Sequence, residues 1–134
     1  MDKVNCQGWS LVLIRVALGV IFILHGAQKV FGWFDGPGLA GFVKWIGAYG
    51  VSEPIAYLAA FAELIGGILL LSGRASRIGA LMVMAVMLGA IFIVHWPHGF
   101  FLQNQGFEYP LILALCALAI LIGGPGRCAL PKMA

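Results

Sequence analysis

Several ionisable side chains lie inside or at the ends of long apolar stretches of this chain, and four of them are its first candidates for chemistry. They are Arg15, His25, Glu63 and His95. An ionisable group at the depth of a bilayer costs several kcal/mol unless it is paired, so each of the four needs a structural or a functional reason. Imidazole and carboxylate groups can also move protons or hydrogen-bond a ligand. The pattern leaves two interpretations open, a structural ion pair or a ligand pocket, and the number of titratable groups favours a pocket.

The elements that must position these side chains are four apolar stretches, at about 10–31, 55–72, 76–96 and 107–124. Hydrophobic residues make up 62% of the chain, charged residues make up 10%, and the mean hydropathy is +1.01, outside the range of soluble globular proteins. A helix needs about 20 residues to cross a bilayer. We therefore expect an all-α integral membrane protein, with one membrane domain (1–134) folded as an antiparallel four-transmembrane-helix bundle.

The positive charges predict the orientation of this bundle. Six of the eight Lys and Arg residues lie at the chain ends or beside the short 73–76 loop, whereas only Lys29 and Lys44 lie near the other connections. The positive-inside rule then places both termini and the 73–76 loop in the cytoplasm, in a cell (inner) membrane. The six residues on the cytoplasmic side are Lys3, Arg15, Arg74, Arg77, Arg127 and Lys132.

The first outer loop is long enough to hold structure of its own. Leu39, Phe42, Val43, Ile46 and Tyr49 recur at steps of three or four residues. This spacing predicts a short amphipathic helix at the outer interface of the membrane.

Glu63 is expected to face the inside of the bundle. Alanines and glycines surround it on one face of its helix, and small residues are typical of helix–helix contacts in membranes. Arg15 is its candidate partner in a structural ion pair, with Lys29 or a histidine as alternatives.

The predicted topology brings several other polar groups close to the outer end of the bundle. We expect them to line one outward-opening pocket, as ligand-binding or proton-relay residues, with aromatic side chains as its apolar walls. The candidate polar residues are His25, Lys29, Glu63, His95, Glu108 and Tyr109. The candidate walls are Phe22, Trp96, Phe100 and Phe101.

Other chemistries are disfavoured by spacing. Pro97 separates His95 from His98 and is expected to end the helix, so neither a metal nor a haem is expected. Cys6, Cys116 and Cys128 form no C-x-x-C pair, which disfavours thiol–disulfide exchange. Serine and cysteine lack a base at recognisable spacing, and no basic patch with interleaved aromatics indicates a nucleic-acid partner.

The motifs together resemble the DoxX family of small four-helix membrane proteins. The matching segments follow one another through almost the whole chain: Arg15-x-x-x-Gly19-x-x-Phe22-x-x-His25-Gly26-x-x-Lys29, Glu63-x-x-Gly66-Gly67-x-x-Leu70, Gly73-Arg74 with Arg77, His95-Trp96-x-x-Gly99-Phe100-Phe101, Gly106-x-Glu108-Tyr109 and Gly124-Pro125-Gly126.

The resemblance implies a quinone-linked redox component, or the membrane anchor of an oxidoreductase complex. The chain has no nucleotide-binding fingerprint, so redox work would fall to it as the quinone-side subunit, in the bilayer and beside an oxidoreductase partner. A quinone is the cofactor that this implies, and the oligomeric state is left open. A proton-coupled or small-molecule transporter and a structural scaffold for other membrane proteins are the alternatives.

Overall fold

The protein is all-helical in the part of the chain that the structure, a computed structural model, describes, which is residues 6–126. Lys3, Arg127 and Lys132, which contribute to the predicted orientation, lie outside these residues, and so does Cys128. No strand is present between residues 6 and 126. The five α-helices of this described part are α1 (Cys6–Phe31), α2 (Gly38–Gly47), α3 (Glu53–Ser72), α4 (Ser76–Gly89) and α5 (Glu108–Gly123).

The helix that begins as α4 changes its hydrogen-bond register before it ends. A π-helix continues it over Ala90–His95, and a 3₁₀ turn follows at Trp96–His98. The sequence predicts one uninterrupted helix over 76–96, so the π-helical segment is new. A second 3₁₀ turn, Leu102–Asn104, lies in the connection to α5.

Between residues 6 and 126, three helical segments are long and apolar enough to cross a membrane. They are Gly8–Phe31, Glu53–Ser72 and Ser76–His98. α5 is shorter, at 16 residues, which corresponds to about 24 Å of helix. Many large apolar side chains on these helices are exposed, among them Leu13, Leu58 and Ile122. An apolar outer surface is what a bilayer requires, since lipid replaces water around it.

Glycines bring α1 and α3 into backbone contact. A Cβ atom at Gly26 would lie 2.6 Å from the Cα atom of Leu64, and one at Gly67 would lie 2.7 Å from the backbone nitrogen of Ile23. No larger residue fits at either position without separating the helices. Close approach through small residues is how helices associate in lipid, where no hydrophobic force drives them together.

The main core is shared by α1, α3, α4 and α5. Phe22, predicted as a pocket wall, belongs to this core instead and is only 1% exposed. Its ring lies among the other buried side chains of the core, and these are Leu18, Leu70, Ala80, Val83, Met87, Leu113, Ala114, Ala117 and Ile120.

Arg15 makes hydrogen bonds at one end of the bundle, the end that contains the short turn after α3. Its Nη1 atom donates to the carbonyl oxygens of Leu70 (2.7 Å) and Leu71 (2.9 Å), and its Nε donates to that of Pro125 (2.8 Å). The first two carbonyls belong to the last turn of α3, where carbonyl oxygens lack the i+4 partner of the helix interior. That of Leu70 also accepts from the backbone nitrogen of Gly73 at 3.2 Å. The predicted Arg15–Glu63 ion pair is therefore corrected: Glu63 lies about 10 Å further along α3 from Leu70.

A second arginine, Arg77, donates hydrogen bonds to carbonyl oxygens at the end of α5. Arg77 donates from Nε to the carbonyl oxygen of Leu121 (3.0 Å) and from Nη2 to that of Ile122 (3.4 Å), at the end of α5. The turn between α3 and α4 is itself closed by Gly73, whose φ of +76° suits glycine, and by a hydrogen bond from Ser76 to Gly73. We call this end of the molecule the arginine end.

α2 covers the opposite end, which we call the α2 end. Its buried side chains Phe42, Val43 and Ile46 pack with Ala56 and Ala60 of α3 and with Val94 of the π-helix. α2 thus bridges α3 and the extension of α4.

Candidate functional site

A cavity of about 680 Å³ lies between α3 and α4, towards the α2 end. At the arginine end these two helices touch, since a Cβ atom at Gly66 would lie 3.1 Å from the carbonyl oxygen of Gly79. Further along, α3, α4 and the π-helix present small and aliphatic side chains that leave the space between them unfilled. These lining residues are Ile55, Ala56, Leu58, Ala59, Ala62, Leu81, Met82, Ala85, Val86, Met87, Gly89, Ala90, Ile93 and Val94.

Other elements close the remaining sides of the cavity. Phe42, Trp45 and Ile46 of α2 cover it, and Leu102 and Gly106 reach it from the connection before α5. Six large apolar residues of its lining are also largely exposed, and these are Trp45, Ile55, Leu58, Leu81, Ile93 and Leu102. The cavity therefore reaches the apolar outer surface between α3 and α4.

Lys29 and Glu63 form a salt bridge on the wall of this cavity. The Lys29 ammonium donates to Oε1 of Glu63, and it also lies 4.9 Å from the centre of the Phe42 ring. The Glu63 side chain is 1% exposed, whereas that of Lys29 is 24% exposed. The second carboxylate oxygen of Glu63, Oε2, is buried and has no hydrogen-bond partner. A buried carboxylate oxygen without a donor is costly, so this atom is a position at which a ligand donor would be favourable.

His95 lines the cavity from the end of the π-helix. Its Nδ1 atom lies 2.7 Å from the carbonyl oxygen of Gln105. A carbonyl oxygen only accepts hydrogen bonds, so Nδ1 carries the proton of this contact. In the neutral imidazole, the other ring nitrogen, Nε2, is then an acceptor.

His25 and Tyr109 complete the polar part of the lining. His25, on α1, and Tyr109, in the first turn of α5, are both exposed side chains. Five of the six predicted polar candidates thus lie around one cavity, and the lining is otherwise almost entirely apolar.

Glu108, the sixth candidate, has a different placement. Its Oε2 atom accepts a hydrogen bond from the backbone nitrogen of Leu102 at 2.9 Å, and the residue is exposed and does not line the cavity. Glu108 fixes the connection before α5 because its carboxylate satisfies a backbone donor there.

The predicted aromatic walls are also corrected. Trp96 stacks on Phe107 with ring centres 5.3 Å apart, and Phe100 and Phe101 extend this aromatic cluster over the connection. None of these rings, nor Phe22, lines the cavity. The walls that sequence reasoning missed are mostly small and aliphatic, together with Phe42 and Trp45 of α2. The alanines of α3 and α4 were the available signal, since small residues that do not meet a neighbour leave a gap.

Within residues 6–126, no three His, Cys, Asp or Glu side chains are grouped so that they could hold a metal ion. The polar groups of the cavity are suited instead to hydrogen bonding and proton exchange with an organic ligand.

One known protein family matches the segment that carries most of these cavity residues. The family model described as DoxX matches residues 10–96, which is more than half of the chain. The chain belongs to the DoxX family. The matched segment of this DoxX protein runs from α1 to the start of the turn after the π-helix, so it contains His25, Lys29, Glu63 and His95.

Two known proteins resemble this DoxX chain over most of its length. A Bacillus subtilis (strain 168) protein named "Putative oxidoreductase CatD" is 35% identical over 109 residues, 81% of this chain and 76% of the relative. An "Uncharacterized protein" of Haemophilus influenzae is 31% identical over 126 residues, 91% of this chain and 88% of the relative. No solved protein structure gives a significant match.

Proposed function

We propose that this DoxX protein binds a lipid-soluble quinone in the cavity between α3 and α4, as a quinone-linked redox component or membrane anchor of an oxidoreductase complex. The cavity carries the proposal: its volume of about 680 Å³ is that of a typical small-molecule site. Its walls are apolar, and its few polar groups converge from α1, α3, the π-helix and α5.

The lateral opening suits a ligand that arrives through lipid. Leu58, Leu81 and Ile93 would let an apolar tail lie against the bilayer while the ring occupies the cavity. The name of the Bacillus subtilis relative also favours redox work. In this proposal α1, α3, α4 with its π-helix, and α5 all cross the inner membrane as one domain, with both termini in the cytoplasm and α2 at the outer interface.

A filled-cavity variant tests this function. Ala85 lines the cavity, so Ala85→Trp should occupy the ligand's space, whereas Ala17 is exposed on α1 and does not line the cavity. We expect gently extracted parent protein and Ala17→Trp to carry a quinone or its quinol in native mass spectrometry, and Ala85→Trp to carry neither. Absence of quinone from the parent, together with no binding of added decylubiquinone or its quinol, would refute the proposal.

A proton-coupled transporter is the second candidate, and the Lys29–Glu63 ion pair favours it, since ionisable pairs within a span often mark proton paths. Such a path needs a second opening. Towards the arginine end, however, α3 and α4 are in contact at Gly66 and Gly79, and the main core fills the bundle. Substrate-dependent proton movement in liposomes would support the transporter over the quinone site.

A further inference from the structure

Glu63, which is almost fully buried at the cavity, is an acceptor rather than a donor. Glu63 is paired with an ammonium group, so it is a carboxylate, and a carboxylate only accepts hydrogen bonds. Its Oε2 atom is buried and lacks a donor. Because Glu63 lines the cavity, a ring bound beside it would lie next to an acceptor that is still unsatisfied.

His95 adds a second acceptor. Because Nδ1 gives its proton to the carbonyl oxygen of Gln105, the neutral ring keeps Nε2 as an acceptor. If Nδ1 were the acceptor and Nε2 carried the proton, Nδ1 and the carbonyl oxygen of Gln105 would be two acceptors facing each other. The contact with this backbone oxygen therefore fixes the tautomer.

The hydrogen-bond donors of the cavity are less available to a ligand than these acceptors. Lys29 is the cation of the ion pair, and its ammonium already lies against both Glu63 and the Phe42 ring. The Tyr109 hydroxyl can donate or accept, so it does not discriminate between ligands. His25 is exposed at the margin of the cavity.

We infer that the cavity selects the reduced form of its ligand, a hydroquinone with two hydroxyl donors, over the oxidised quinone; this inference rests on the proposed function. A hydroquinone can donate to Glu63 Oε2 and to His95 Nε2. A quinone offers only carbonyl oxygens, which would leave Oε2 of Glu63 buried without a donor.

The test compares four ligands with the same ring substitution and the same tail on the parent protein. They are a decyl-substituted hydroquinone, its monomethyl ether, its dimethyl ether and the matching quinone, titrated anaerobically by calorimetry in detergent. We expect each lost donor to weaken binding by about tenfold, because one hydrogen bond to such a group is worth about that factor. The dimethyl ether and the quinone should bind most weakly.

A single substitution should reverse the selectivity. In Glu63→Gln the amide oxygen can keep the contact with Lys29, which leaves the amide NH₂ as a donor where Oε2 was. This variant should prefer the quinone to the hydroquinone. The matched control is Glu53→Gln, at an exposed glutamate that does not line the cavity, and it should keep the preference of the parent.

The outcomes separate the two proposals. Equal binding of hydroquinone and quinone by the parent, or tighter binding of the quinone, overturns the inference but leaves quinone binding in place. Binding of none of the four compounds overturns both. Because the ligand series uses the parent protein, the inference stays testable even where Glu63→Gln fails to fold.

Discussion

Lys29 of α1 and Glu63 of α3 form their salt bridge one turn from the point at which Gly26 meets the backbone of Leu64. The ion pair is therefore formed across an interface whose spacing is set by glycine. A buried carboxylate is stable there because its counter-ion is supplied from the facing helix.

Removal of the cation alone should be costly. Lys29→Met leaves the Glu63 carboxylate buried without a partner, and we expect a loss of about 3–5 kcal/mol in stability. The double variant Lys29→Met/Glu63→Met should recover most of it, because an apolar pair has no desolvation cost. Thermal aggregation in detergent, followed by size-exclusion chromatography, measures both. Lys44→Met, at an exposed lysine of α2, is the control and should match the parent. Parent-like melting of the single variant would contradict the role of the ion pair.

Arg15 should be more sensitive than Arg77 to conservative replacement. Arg15 is 2% exposed and donates to three carbonyl oxygens, whereas Arg77 is exposed. Lysine lacks the planar guanidinium that reaches several acceptors at once. Arg15→Lys should therefore cost about 1–3 kcal/mol, and Arg77→Lys less than about 1 kcal/mol, in the same melting experiment. Equal losses in the two variants would mean that burial of Arg15 is not what matters.

Two helical glycines should respond differently to alanine. Gly26→Ala places a methyl group against the backbone of Leu64 and should destabilise the protein by about 1–3 kcal/mol. Gly89, at the end of α4, has no neighbouring atom within 4 Å of the position that an added methyl group would take, so Gly89→Ala should be neutral or stabilise by up to about 1 kcal/mol. Thermal unfolding of the two purified variants decides this, and tolerance of Gly26→Ala would exclude direct contact of α1 with α3.

The proposed orientation can be tested with a thiol-reactive reagent that does not cross membranes. Gln103 is exposed in the connection before α5, which we place outside. Gln103→Cys should be labelled in intact cells, whereas the native Cys6 and Cys128 should react only after the membrane is opened. The reverse pattern would mean that both termini lie outside and that the cavity lies near the cytoplasmic side of the membrane.

Residue patterns predict the helices and the burial of Glu63 well, because both depend on side-chain periodicity. Alanines and glycines around Glu63 predict that it faces other helices, and its side chain is buried. The same reasoning misses the partners of Arg15, since they are backbone carbonyl oxygens at a helix end and every residue type carries one. It also misplaces the walls of the cavity. Sequence reasoning predicts aromatic residues near helix ends as the cavity walls, but Trp96 and Phe100 pack with Phe107 instead.

The π-helix over Ala90–His95 sets the direction, around the helix axis, in which the His95 imidazole points towards the cavity. In an α-helix each residue advances the chain by about 100° around the axis, and a π-helix absorbs the equivalent of one extra residue. If the same residues continued α4 in α-helical register, the His95 imidazole would be turned by about that angle. Its contact with Gln105 would then be lost. The direction of this imidazole is consequently encoded in the backbone register of the preceding turn rather than in a choice of side-chain rotamer.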